Sequence, residues 1–281
     1  MRRLVVLICA MGCGRLGFTA PQAADGALAL DAGDALALDA GDAAVPGADA
    51  PAAIAITHAG QWASASQLSR TLATSTSRSV FTLATWYRST AQNQMVMCAG
   101  VTAQRQSFVW ASQNDGTVLF QHQEGSSSWA TIPDAQPWPY LGTWIHLVLS
   151  VDLTQADVAQ RVRWWIDGVA QTTHTGGAPD WVQGQQLYLG DTVLHTIGNK
   201  FDGAFDWSGA LAETYVIWGR ALDPSYFIVG TGAATRSIAY TGPVTPESVH
   251  FDYAVAGANG FAGEPDWTAT QITTVTTGLP Y

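Results

Sequence analysis

The chain has 281 residues, 47% hydrophobic and 12% charged, which supplies a sizeable core and excludes disorder throughout. Its formal charge of −10, with Lys200 as its single lysine, excludes a phosphate-neutralising nucleic-acid partner and disfavours anionic lipid headgroups as a surface for the folded part. Twelve Trp and 28 Gly favour strands joined by tight turns.

The first residues read as an export signal over 1–19. Arg2 and Arg3 precede an apolar run, Leu4 to Met11, too short to span a bilayer. Ala10-Met11-Gly12-Cys13 resembles the lipobox of bacterial lipoproteins, with Ala10 where that motif usually has Leu. The resemblance implies lipidation of Cys13 and membrane attachment through that lipid alone. Cleavage after Ala20 or Ala24, releasing a soluble protein, is the alternative. Residues 20–53 read as a tether: the octamer Ala-Leu-Ala-Leu-Asp-Ala-Gly-Asp fills 27–34 and repeats unchanged at 35–42. Such a segment buries too little apolar area to offset its ordering entropy. Cys9 leaves with the signal and Cys13 takes lipid, so Cys98 stays alone as a small buried hydrophobe.

A third stretch, 54–281, keeps one texture to its end. Val80–Tyr87 is apolar enough for a strand buried on both faces. Phe108–Ala111 and Thr117–Gln121 flank Asn114-Asp115-Gly116, a hairpin signal because these residues tolerate positive φ. Trp144–Val151 and Val162–Ile166 follow, and Asp167-Gly168 turns the latter into Val169–Thr173. Leu187–Leu189, His195–Gly198, Ala210–Trp218 and Ser248–Ala254 complete the predicted strands. Asp223-Pro224 offers an N-cap and first-turn Pro for a single helical turn. Many short strands with almost no helix predict an all-β, two-sheet antiparallel sandwich.

The segments Ser79–Arg88, "TWIHLVLSVD" (143–152), "RVRWWIDGV" (161–169) and "FDGAFDWSGALAETYVIWGRALD" (201–223) together resemble the laminin G-like, concanavalin A-like jelly rolls. The likeness is strongest to the version in tailed-phage and virion proteins and covers most of residues 60–257. It implies a jelly-roll fold that hosts lectins, adhesion modules, polysaccharide hydrolases and virion components, so the fold alone leaves function open.

Hydrolase chemistry on this fold uses paired carboxylates. Glu124, Glu213, Glu247 and Glu264 are the candidates beyond the tether, and none sits in a Glu-x-Asp-x-Glu run. Glu213 reads as a hydrogen-bonding residue that closes a sheet, and His146 as a core histidine. No zinc, phosphate-loop or nucleophile-elbow motif occurs. The stretch Asn199 to Trp207 combines the oxygen donors Asn199, Asp202 and Asp206 with Gly203, a set that suits calcium; a plain turn is the alternative reading, and Lys200 opposes a cation there. Trp129, Trp138, Tyr140, Trp181 and Trp207 fall in polar or Pro/Gly-rich stretches that read as loops and are the candidate ligand-binding platforms, with packing over a sheet end as the alternative for each. Trp86, Trp144, Trp165 and Trp218 lie within strands and read as core.

These readings point to a non-catalytic, exported binding module whose partner is an extracellular polysaccharide or glycoprotein. A structural or adhesion protein that binds another protein, including a virion-derived component, is the second reading, and a polysaccharide hydrolase the third.

Overall fold

The computed structural model describes residues 51–111, 118–131, 141–172, 174–177 and 181–280. The export signal, Cys13, the octamer repeats, the 114–116 turn, Trp138 and Tyr140 lie outside them. One compact unit spans Asp49–Tyr281.

In chain order the strands are β1 (Ala59–Trp62), β2 (Gln67–Thr71), β3 (Val80–Ser89), β4 (Gln94–Thr102), β5 (Arg105–Ala111) and β6 (Leu119–Glu124). Next come β7 (Ser126–Thr131), β8 (Ile145–Asp152), β9 (Val162–Ile166), β10 (Val169–Gln171), β11 (His174–Gly177) and β12 (Leu194–Ile197). The last are β13 (Gly209–Trp218), β14 (Ile228–Val229), β15 (Arg236–Ser237), β16 (Val249–Phe251), β17 (Thr268–Thr270) and β18 (Thr273–Val275). They form two large antiparallel sheets. The first runs β10-β9-β8-β3-β13-β1-β18, with β16 also on β13; the second runs β11-β7-β6-β5-β4-β12-β2-β17. The predicted two-sheet antiparallel sandwich is what the chain forms.

Alternation explains what lies between the sheets. On β3, Phe81, Leu83 and Tyr87 point into the main core, where they meet Ile145, Leu147 and Leu149 of β8 and Val109 and Phe120 of the second sheet. The opposite face of β3 carries Ala84 and Trp86, which pack with Val148, Ala212, Tyr215 and Ile217 under a roof of Ile56, Leu222, Phe227 and Ile228. The Trp86 indole donates to Ser237 Oγ at 2.7 Å, and Thr82 Oγ1 donates to the Arg220 carbonyl at 2.8 Å. A strand apolar on both faces therefore marks a sheet covered on both sides. The roof includes the predicted helical turn, Pro224–Tyr226, capped by the Asp223 carboxylate.

Local turn chemistry sets the registers. Asp167 and Gly168 both have positive φ, 47° and 74°, and join Ile166 to Val169 in a two-residue hairpin, as Asp-Gly does in a tight turn matched to strand twist. Gly209, at φ 134°, sits where a Cβ would lie 1.9 Å from the Arg88 carbonyl oxygen, so only glycine lets β13 start against β3. β5 and β6 pair with Trp110 opposite Leu119, the hairpin expected of the two segments. Leu187–Leu189 is not a strand: Leu187 is irregular, Tyr188 lies in a bend and Leu189 in a turn, with Leu187 and Leu189 buried in the main core. Their apolar character reflects burial, not pairing.

Candidate ligand-binding face

Trp181 and Trp207 are core residues, not ligand platforms. Trp181 is 1% exposed and stacks on Phe120 with ring centroids 4.8 Å apart; Trp207 is 0% exposed and meets Tyr87 edge-on at 5.6 Å. Polar neighbours in the sequence marked loops correctly, but these loops turn their indoles inward between the sheets. Trp86 and Trp218 are buried as expected, while Trp144 and Trp165 are only partly buried. His146 is a core histidine whose pKa burial pushes down to about 3.

Trp129 is different. It lies on β7, half-buried, on the outer face of the second sheet. Register places Cys98 beside Phe108, Phe108 beside Gln121 and Gln121 beside Trp129, so four adjacent strands present these side chains in one row. The next row holds Met95, Trp110 and Leu119. Strands about 4.8 Å apart put Trp129 roughly 10 Å from Phe108 across the face. Beyond it the 199–206 loop brings Phe205, 40% exposed, against Trp110 at 4.4 Å. Phe201 packs on the small cluster of Met95, Cys98 and Phe108. Cys98 sits beneath, its thiol pushed up to about 12 by burial. The side-chain amide of Gln121, between the aromatics, has no hydrogen-bond partner among the described residues.

The face therefore offers half-exposed rings beside an uncommitted amide. Sugar rings bring apolar C–H faces and hydroxyls together, and such a surface meets both. Phe108, Trp110, Phe201 and Phe205 escaped the sequence reading. The signal was the alternation of Phe108 and Trp110 on one face of β5, but only the tertiary fold shows which sheet face carries a roof.

The 199–206 loop was the predicted calcium site. Asp202 accepts the Lys200 ammonium at 2.8 Å, so its carboxylate is already matched. Asp206 Oδ2 accepts from Ser64 Oγ and the Ala65 amide. Asp206 Oδ1 and Asn199 Oδ1 are buried without partners. Among the described residues no group of three His, Cys, Asp or Glu side chains is placed to hold a metal. Two oxygens alone fall short of the six to eight that calcium takes, so backbone carbonyls or ligand oxygens would have to supply the rest.

Glu213 is held within its own sheet. At φ 45° it sits in a bulge between β13 and β3. Its Oε2 accepts from Tyr215 OH at 3.0 Å and from His250 Nε2 at 2.8 Å, and those two rings stack at 4.1 Å. Burial, with the adjacent carboxylate, raises the Tyr215 pKa. Among the described residues no helix is long and apolar enough to cross a membrane.

Two packed antiparallel sheets, one roofed and one with a half-exposed aromatic face, define a lectin-like jelly-roll sandwich. A laminin G-type family profile, described as the concanavalin A-like lectin/glucanases superfamily, matches residues 59–225, and the chain belongs to that superfamily. A solved protein of Bacteroides ovatus, provisionally described as carbohydrate binding, is 16% identical with a TM-score of 0.50, covering 81% of this chain and 62% of its own. A pentraxin resembling serum amyloid P from Limulus polyphemus is 18% identical with a TM-score of 0.45, covering 71% and 94%. Domains LG4-5 of the mouse laminin α1 chain are 16% identical with a TM-score of 0.42, covering 66% and 49%. At these identities the likeness speaks to fold alone. No curated protein matches the chain.

Proposed function

We propose that this chain is an exported, non-catalytic module that binds an extracellular polysaccharide or glycoprotein through the outer face of its second sheet. The observation that carries the reading is the contrast between the two outer faces. The first sheet buries Trp86 and Tyr215 under its roof and sets the Arg88 and Arg163 guanidinium groups over its partly buried Trp144 and Trp165, whereas the second leaves Trp110, Trp129 and Phe205 partly exposed around the side-chain amide of Gln121. Exposed aromatics clustered on one surface are costly unless a partner covers them. Tethering fits the same role: a lipid on Cys13 and the 20–53 segment would link the 54–281 sandwich to a cell surface. Calcium, where it contributes, is held by Asn199 and Asp206 at the edge of this face.

Glycan-array binding by the chain, with calcium and with chelator, tests the proposal. Binding to a glycan class that falls in Trp129→Ala or Gln121→Ala supports it. A blank array from folded protein would overturn it in favour of a protein partner. Loss of binding in chelator, reproduced by Asp206→Asn, would assign the cation.

A further inference from the structure

The outer face of the first sheet carries two arginine–tryptophan pairs of the same build. The Arg88 guanidinium lies 5.1 Å from the centre of the Trp144 ring, and that of Arg163 lies 5.3 Å from the centre of Trp165. A guanidinium held over a ring by its flat face keeps its in-plane N–H groups for an acceptor. In the first pair the chain supplies one: the Gly278 carbonyl accepts from Arg88 Nη1 at 3.0 Å and from Trp144 Nε1 at 2.6 Å.

The second pair has no such acceptor. Arg163 forms no ion pair among the described residues. Its Nη2 reaches only Ser150 Oγ, at 3.4 Å, and its Nε is buried without a partner. Asp152, further along β8 on the same face as Ser150, spends its carboxylate on Thr154 and on the Gln155 amide. Asp157 Oδ1 caps the 158–160 turn by accepting from the Ala159 amide. A partly buried charge left in this way carries a desolvation cost that a matching ion would offset.

A cavity of about 450 Å³ opens at this place, along the β9–β10 edge, and its lining includes Arg163, Trp165, Val158, Ala159, Gln160 and Ala170. Val158 is 41% exposed at its rim, and Ala170 stands opposite Trp165 in the strand pair. The walls are thus mainly apolar around one cation. That combination narrows the ligand. A cation is repelled by Arg163, and a neutral ligand leaves its charge unmatched. One guanidinium balances one negative charge in a chain of formal charge −10, so a phosphate or sulfate dianion would bring a charge in excess. A carboxylate offers two coplanar oxygens to the guanidinium fork, and an apolar body attached to it covers the aliphatic wall.

We infer that the cavity at the β9–β10 edge binds a small organic monocarboxylate, with its charge on the Arg163 guanidinium and its apolar body along Val158, Ala159 and Ala170. The volume lies within the range of small-molecule pockets. The inference stands apart from the proposed role of the aromatic face, which belongs to the other sheet.

The test is ¹H–¹⁵N NMR of the Trp165 indole in the full chain at neutral pH, titrated with phenylacetate and with hexanoate. Phenylacetamide reproduces the first without its charge, and inorganic phosphate and sulfate bring charge without an apolar body. At least one carboxylate is expected to shift the indole signal saturably while phenylacetamide and the inorganic ions do not. Arg163→Gln should weaken that carboxylate at least about tenfold. Ala170→Glu, which sets a competing carboxylate beside Trp165 at an exposed position, should do the same with an unchanged unfolding midpoint, and Trp129→Ala should leave binding unaltered. No response to either carboxylate, an equal response to phenylacetamide or to the inorganic ions, or undiminished binding in Arg163→Gln or in Ala170→Glu would each overturn the assignment.

Discussion

Replacing Trp207 with alanine separates a packing role from a ligand role in one experiment. The side chain is fully buried and meets Tyr87 edge-on, and its Nε1 has no partner to lose, so the cost is almost wholly packing. Trp→Ala changes in cores cost about 3–5 kcal/mol, and the aromatic pair places this one toward the upper end. With a urea m-value of about 3 kcal/mol/M for a domain of this size, the unfolding midpoint should fall by roughly 1–2 M at unchanged m. Because domains are stable by only about 5–15 kcal/mol, Trp207→Phe, which keeps an aromatic ring against Tyr87, serves as the graded companion and should lie between wild type and alanine. The readout is urea denaturation followed by tryptophan fluorescence and circular dichroism. Midpoints within about 0.2 M of wild type for both variants, together with lost glycan binding, would refute the assignment of Trp207 to the core.

Three other outcomes follow from the same geometry. Arg70 and Glu247 form an ion pair at 2.6 Å with both side chains largely buried; Arg70→Ala should cost about 3–5 kcal/mol by stranding the carboxylate, and a thermal-unfolding change under about 1 kcal/mol would contradict this. His122, His146 and His195 are buried neutral, with pKa values lowered to about 4, 3 and 4. The unfolded chain therefore binds more protons below pH 6.5, so stability is complete above that pH and falls as pH drops toward 4, by up to about 1.4 kcal/mol per unit for each ring. Urea midpoints that stay flat from pH 7 to 5 would count against it. Gly209→Ala forces a Cβ onto the Arg88 carbonyl at a φ that L-residues avoid and should destabilise by at least about 1–3 kcal/mol; a neutral result by calorimetry would mean that the β3–β13 register is wrong.

The sandwich was legible wherever a strand carried its own pattern. β3, β8 and β13 are long apolar runs because the main core and the roof both cover the first sheet, and the Asp167-Gly168 turn announced the β9–β10 hairpin. β4 was missed because a bulge between Met95 and Met97 breaks its alternation against β5, leaving Val96 and Met97 both in the main core. The short β1, β2, β17 and β18 depend on partners more than a hundred residues away in sequence, as in Gly60 with Leu211 and Leu68 with Ala269. For the site, Trp181 and Trp207 were misplaced, and Trp129, read from a polar stretch, lies on strand β7 at a partly exposed position. Local polarity reports a loop, whereas the direction of an indole depends on which sheet the loop crosses. Phe205 was invisible as a surface ring because its exposure follows from a hairpin loop folding back on Trp110.

The most direct test of the central claim is calorimetric titration of the chain and of Trp129→Ala with the glycan class selected on the array. An aromatic platform of this kind predicts at least a tenfold weaker Kd for the variant, about 1.4 kcal/mol, with its unfolding midpoint lowered less than in Trp207→Ala because Trp129 is only partly buried. Equal affinity in the two proteins would show that the ligand does not rest on this face.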